Sequence, residues 1–169
     1  MTNRCFPELR QLANETTLSD HWQQTLLPFW QQLQHGHFTG VNGIPIHYSY
    51  QLTPGATAAW VISSGRIETA VKYSELMYEL VSAGYSVFIL DHRGQGRSGR
   101  LLPDPQPGYV ESFQCYQQDL AQFLRQIVQP SGHPQHLLLA HSMGCAIAAA
   151  LLTGAMWQEW HSFFSAAVF

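Results

Sequence analysis

The sequence predicts an α/β protein with a mostly parallel sheet and flanking helices. Short apolar runs at 58–63, 85–90, 136–140 and 165–169 have the composition of strands buried on both faces. Helical stripes lie between them, one through Tyr73, Leu76, Met77, Leu80 and Val81, another through Phe113, Tyr116, Leu120, Phe123, Leu124, Ile127 and Val128. Strands alternating with helices imply right-handed crossovers, and function in such sheets collects at the carboxyl ends of the strands. The third observation is the stretch 137–152, where an apolar run stops at Ser142 between small residues and then resumes. Its reading is strand, sharp turn, helix.

Composition bounds the rest. The 169 residues are 46% hydrophobic and 11% charged, enough for one domain with a substantial core. A formal charge of −3 leaves no basic footprint, which argues against nucleic acid as a partner. Cys5, Cys115 and Cys145 are widely spaced, with no CxxC or Cys/His cluster, so neither a disulfide framework nor a metal site is expected. Residues 1–10 lack the basic-then-apolar layout of a signal peptide, and no apolar run approaches the roughly 18 residues of a spanning helix. The expected location is the cytoplasm.

Taken in order, 1–35 is expected to be an N-terminal helical segment and 36–169 the core. Trp22, Leu26, Phe29, Trp30 and Leu33 recur at helical spacing, with Ser19 or Asp20 available as cap and Pro28 expected to kink the element. This face could lie on a membrane or pack on its own sheet; its glutamine-rich polar side, without Lys or Arg, favours the sheet. Asn42-Gly43 between 37–41 and 44–48 predicts a hairpin, and Pro45 places its strand at an edge.

The loop after the first long strand is Ser63-Ser64-Gly65-Arg66-Ile67-Glu68. Gly65 lets the backbone approach a ligand, and the Arg66 amide could form half of an oxyanion hole, although a plain strand-to-helix turn needs no such role. The Arg66 side chain could hold a phosphate or pair with Glu68. The next loop contains Gly94-x-Gly96-x-x-Gly99, which matches a dinucleotide fingerprint. That motif needs a helix directly after it, and Pro103, Pro105 and Pro107 leave no run of N–H donors there. What remains is a glycine-rich turn that Asp91 and Arg93 can tie down.

Ala140-His141-Ser142-Met143-Gly144 fits a nucleophile elbow, usually G-x-S-x-G, with alanine as its first small residue. An elbow lifts the serine hydroxyl off the sheet and aims the first amides of the next helix at the same point. The alternative is an ordinary helix start with Ser142 as N-cap.

The stretch 91–99 together with His141-Ser142-Met143-Gly144 resembles the monoglyceride-lipase-like branch of the α/β-hydrolases. Gly65-Arg66-Ile67-Glu68, Val71-Lys72-Tyr73, Arg100-Leu101-Leu102 and Ala140 are similar to the bacterial lysophospholipase of the L-two type. The resemblance runs from about Phe38 to the last residue. It implies an α/β-hydrolase fold ending before the last strands and lid, and a serine ester hydrolase without cofactor or metal. Ser142 would be the nucleophile, the amides of Met143 and Arg66 the oxyanion donors, and Gly65, Asp91, Arg93, Gly94, Gly96 and Gly144 structural support. The implied substrate is a lysophospholipid or other single-chain lipid ester, with monoacylglycerol second, and the implied location the inner face of the cytoplasmic membrane, as a peripheral contact.

Two departures matter. Cys145 stands where the family pattern has glycine, a small-for-small change read as packing. In this fold both partners of the serine should follow it, yet only Glu159 and His161 do, and the helix leaving the elbow carries them to the far side of the sheet. His141 is directed elsewhere by the turn, and His92 has no evident carboxylate. The expectation is the front half of a hydrolase without useful esterase activity, or a non-catalytic remnant or lipid-binding module. Its last apolar run is expected to leave a raw sheet edge.

Overall fold

The computed structural model describes residues 17–154 and 156–169, so Cys5 and the 1–10 stretch lie outside it. Six strands form one sheet in the order β1-β2-β4-β3-β5-β6. They are β1 (Gln34–Thr39), β2 (Pro45–Gln51), β3 (Ala58–Ser63), β4 (Ser86–Leu90), β5 (Gln135–Ala140) and β6 (Ala166–Val168). β1/β2 and β2/β4 are antiparallel, while β4, β3, β5 and β6 are mutually parallel.

The hairpin turns at Asn42 and Gly43, both at positive φ (56° and 78°), which is why asparagine followed by glycine sits there. Pro45 does not mark an edge. β2 lies between β1 and β4, and its pairing with β4 spans only Tyr48 to Gln51, so a proline at the first residue of the strand has no β4 partner to deprive. Alternation along the strands separates two cores. Val61, Phe88 and Leu138 face α4 (Phe113–Phe123) and α5 (Met143–Thr153). Ile62, Val87 and Ile89 face Met77 of α3 (Ser74–Ser82).

On that second face lie Trp30 and Leu33, so the N-terminal helix covers the sheet with its tryptophan face. It runs as α1 (Leu18–His21), a π-helical turn (Trp22–Leu26) and α2 (Leu27–Gln32). The π-turn sits directly ahead of Pro28, whose missing amide the wider ladder accommodates. Ser19 and Asp20 fall inside the first turn and not at its cap. Residues 101–112 form bends and turns, and the next helix starts only at Phe113, so no helix N-terminus meets the Gly94–Gly99 turn. No helix among the described residues is long and apolar enough to cross a membrane. At the outer edge β6 is exposed, as are Val168 and Phe169.

Candidate active site

Ser63, Leu90 and Ala140 end three neighbouring strands at one level, since Ser63 pairs in register with both of the others. Arg66, Arg93 and Met143 each lie three residues beyond those ends. The loops that carry them therefore leave the same rim of the sheet side by side.

At Ser142 the chain bends abruptly. Its φ of 52° and ψ of −115° lie in a region that L-residues rarely occupy. An ordinary N-cap has extended dihedrals and bonds its side chain to the helix. Ser142 does neither, and it is exposed. The helix closes behind it through Gly144 N–H to His141 O (2.8 Å) and Cys145 N–H to Ser142 O (3.0 Å), which leaves the Met143 amide without an acceptor among the described residues. So tight a bend brings α5 onto β3. A Cβ on Gly144 would lie 2.1 Å from the Ser63 carbonyl oxygen, so only glycine fits. The adjacent Cys145 is a free, half-buried thiol packed against the core, and the close approach to β3 is made by Gly144.

The facing loop is held by two side chains. The Gly65 amide donates to Glu68 Oε2 (2.6 Å) and the Ile67 amide to Gln95 Oε1 (2.8 Å), while Gln95 Nε2 donates back to the carbonyls of Gly65 (2.9 Å) and Glu68 (3.3 Å). Both neighbours of Arg66 are thus tied, and the amide of Arg66 itself has no acceptor among the described residues. Glu68 and Gln95 position this loop, a role that sequence reading missed. The available signal was a carboxylate three residues after Gly65, suited to accept its amide.

Glu68 is 7% exposed and also accepts from Lys72 Nζ (2.5 Å), the Tyr73 hydroxyl (2.5 Å) and His141 Nδ1 (3.1 Å). Burial pushes its carboxyl up, but the bonds from Lys72, Tyr73, the Gly65 amide and His141 outweigh it and hold the carboxyl at about 2. Arg66 is not among these partners, so the alternative of an Arg66–Glu68 pair is set aside.

The glycine-rich turn is fastened from beneath. Asp91, 1% exposed, accepts from the amides of Ala70 (2.6 Å) and Arg97 (2.9 Å) and from His47 Nδ1 (3.0 Å). Burial raises its carboxyl, and these three bonds more than reverse it. Gly96, at φ 51°, passes so close that a Cβ would lie 2.3 Å from that carboxylate; Gly94 is also left-handed at φ 78°. Arg93 forks onto Asp119 of α4 (2.6 and 2.9 Å) and reaches the Val41 carbonyl (3.1 Å).

None of the described histidines is hydrogen-bonded to Ser142. His141 turns toward Glu68. His92 is fully buried with Nε2 3.1 Å from Ser63 Oγ, and burial lowers it to about 4, so it is neutral. Glu159 is held by Arg125 (2.6 Å) in the turn that leads into β5, at the opposite end of that strand from Ser142. His161 follows it on the same side. The same rim thus carries an exposed hydroxyl at Ser142 and, on the loops leaving it, two amides without a hydrogen-bond acceptor among the described residues, and no described side chain is hydrogen-bonded to Ser142 as a base.

Residues 54–169 match the Hydrolase_4 family, described as serine aminopeptidase, S33. Among relatives, lysophospholipase L2 of Escherichia coli is 48% identical over 127 residues, covering 75% of this chain and 37% of that protein. A monoacylglycerol lipase of Mycolicibacterium smegmatis is 30% identical over 122 residues, covering 67% and 39%. The chain thus spans well under half the length of these relatives. A thermostable carboxyl esterase of Bacillus coagulans has the same fold, with a TM-score of 0.66 at 20% identity over 80% of this chain and 43% of that one. With the match spanning β3 to β6, both loops and the bend at Ser142, this chain belongs to the Hydrolase_4 (serine aminopeptidase, S33) family of α/β-hydrolases.

Proposed function

We propose that this chain carries the nucleophile and oxyanion donors of a lysophospholipase-type serine ester hydrolase. The observation that carries the reading is the positive-φ bend at exposed Ser142, which an N-cap would not adopt. The 48% identity to a lysophospholipase supports the substrate class, a single-chain phospholipid, and a peripheral contact with a membrane surface is proposed alongside it.

In this reading Ser142 Oγ attacks the ester carbonyl carbon. The Met143 and Arg66 amides donate hydrogen bonds to the developing oxyanion, donors worth about 3 kcal/mol each in related sites. Collapse expels the glycerol oxygen, which leaves as a hydroxyl with the proton that Oγ gave up to solvent, and the acyl-serine left behind is cleaved by water to the fatty acid and free Ser142. The Oγ proton has no described side-chain acceptor. That observation favours a second reading for the chain by itself, a lipid-binding module with residual chemistry at most.

A fluorophosphonate probe followed by peptide mass spectrometry tests both readings. Slow, stoichiometric modification of Ser142, absent in Ser142→Ala, is expected, without sustained turnover of a short-chain ester. A folded chain left unmodified at Ser142 overturns the nucleophile assignment. Sustained turnover that Ser142→Ala abolishes overturns the second reading.

A further inference from the structure

A cleft of about 290 Å³ opens beside the Arg66 loop, between it, the glycine-rich turn and the 105–108 segment. This is near the lower end of ligand-pocket sizes, roughly 300 Å³. Three arginines, Arg66, Arg93 and Arg100, line it, and no carboxylate does. The chain has only eight Lys and Arg in all; Asp119 balances the charge of Arg93, and Arg66 and Arg100 leave a local excess of positive charge here.

Each guanidinium retains donors. Arg66 forms no ion pair among the described residues and lies across the cleft mouth toward Gly108, where a Cβ would stand 3.7 Å from its Nε. Arg100 is steadied through Nη1 by two carbonyls, Gly96 O (3.1 Å) and Ser98 O (2.9 Å), which orient it without neutralising it. Arg93, 2% exposed, spends Nε and Nη2 on Asp119 and Val41, and its Nη1 is buried with no acceptor. A buried charged donor without a partner is costly to keep and is satisfied when a ligand supplies oxygen.

We propose that this cleft binds a phosphate group. Guanidinium forks match phosphate oxygens, and three of them from two facing loops suit a tetrahedral anion better than a planar carboxylate with two oxygens. The site shares Arg66 with the oxyanion loop, by its side chain here and by its amide there. Ser142 does not line the cleft, so the link between the two is the Arg66 loop. Identifying the phosphate with a substrate headgroup rests on the hydrolase reading; the anion site itself does not.

Titration calorimetry on the full chain, with glycerophosphocholine, inorganic phosphate and acetate as probes, tests this. Saturable binding of glycerophosphocholine is expected, weakened at least tenfold in Arg100→Gln and in Arg66→Gln, which keeps the amide, with acetate unable to compete. Binding of inorganic phosphate while the diester is refused overturns the headgroup and leaves a free-phosphate site. Absence of saturable binding by either phosphate probe, or affinity unchanged in both variants while their melting curves match the parent, overturns the site. Serine labelling is read separately, so a failed anion site and a failed nucleophile are distinguishable.

Discussion

Ser142 holds a conformation that costs its side chain and not its backbone hydrogen bonds. At φ 52° and ψ −115° a Cβ is strained by of order 1–3 kcal/mol, while glycine is at ease there. Ser142→Ala keeps the Cβ and the strain, so its stability should stay within about 0.5 kcal/mol of the parent. Ser142→Gly should be more stable than Ser142→Ala by about 1 kcal/mol, after the greater chain entropy glycine gives the unfolded state. Urea unfolding of the two variants measures the difference, and equal midpoints would show that the bend stores no strain. Sequence alone placed the serine between small residues but left elbow and N-cap both open, because the sign of φ is settled by where α5 must pack. The contact that settles it is Gly144 against the Ser63 carbonyl, a pairing 81 residues apart in the chain.

Among elements, the rim is assembled by buried ionic ties between loops that are distant in sequence. Arg93 joins the turn after β4 to α4 through Asp119, and Asp119 Oδ1 also accepts the Val41 amide (2.9 Å) of the hairpin turn. Both side chains are at most 2% exposed, so removing one strands the other's charge in the core. Asp119→Ala should cost about 3–5 kcal/mol, and chemical denaturation should show it as a lower midpoint at unchanged slope. A loss under about 1 kcal/mol would mean that water reaches Arg93 and the tie is not buried. The strand and helix spans were legible in the sequence, since each carries its own period of two or 3.6. Partners were not. Asp119 lies within a helical stripe that reads as ordinary amphipathic helix, Gln95 looks like a loop residue, and Pro45 suggested an edge because sheet order follows from non-local register.

For the whole molecule, charge burial sets the pH range of stability. Burial keeps His92 neutral down to about 4, against an ordinary 6.5, and lowers His35, His133 and His136 in the same direction. Between 6.5 and 4 the unfolded chain takes up protons that the folded chain refuses, so this stability is complete above 6.5 and declines as the pH falls. Glu68 adds to the decline lower down. Folded it stays ionised to about 2 and unfolded only to 4.5, so its contribution is complete above 4.5 and is lost toward 2. At the other end, burial raises Tyr48, Tyr73 and Tyr116 above 10.0, and the unfolded chain loses phenolic protons there that the folded chain keeps. Stability should therefore form a plateau from about 6.5 to 10, with an acid shoulder that begins near neutrality. The melting temperature should fall steadily from pH 7 to 5, each unmatched proton accounting for up to about 1.4 kcal/mol per pH unit. His92→Gln should flatten that slope more than His37→Gln, a substitution at an exposed histidine. A melting temperature constant from pH 7 to 5 would mean that water or local opening lets His92 protonate within the folded state, and the polar core beneath the rim would then be far looser than its hydrogen bonds imply.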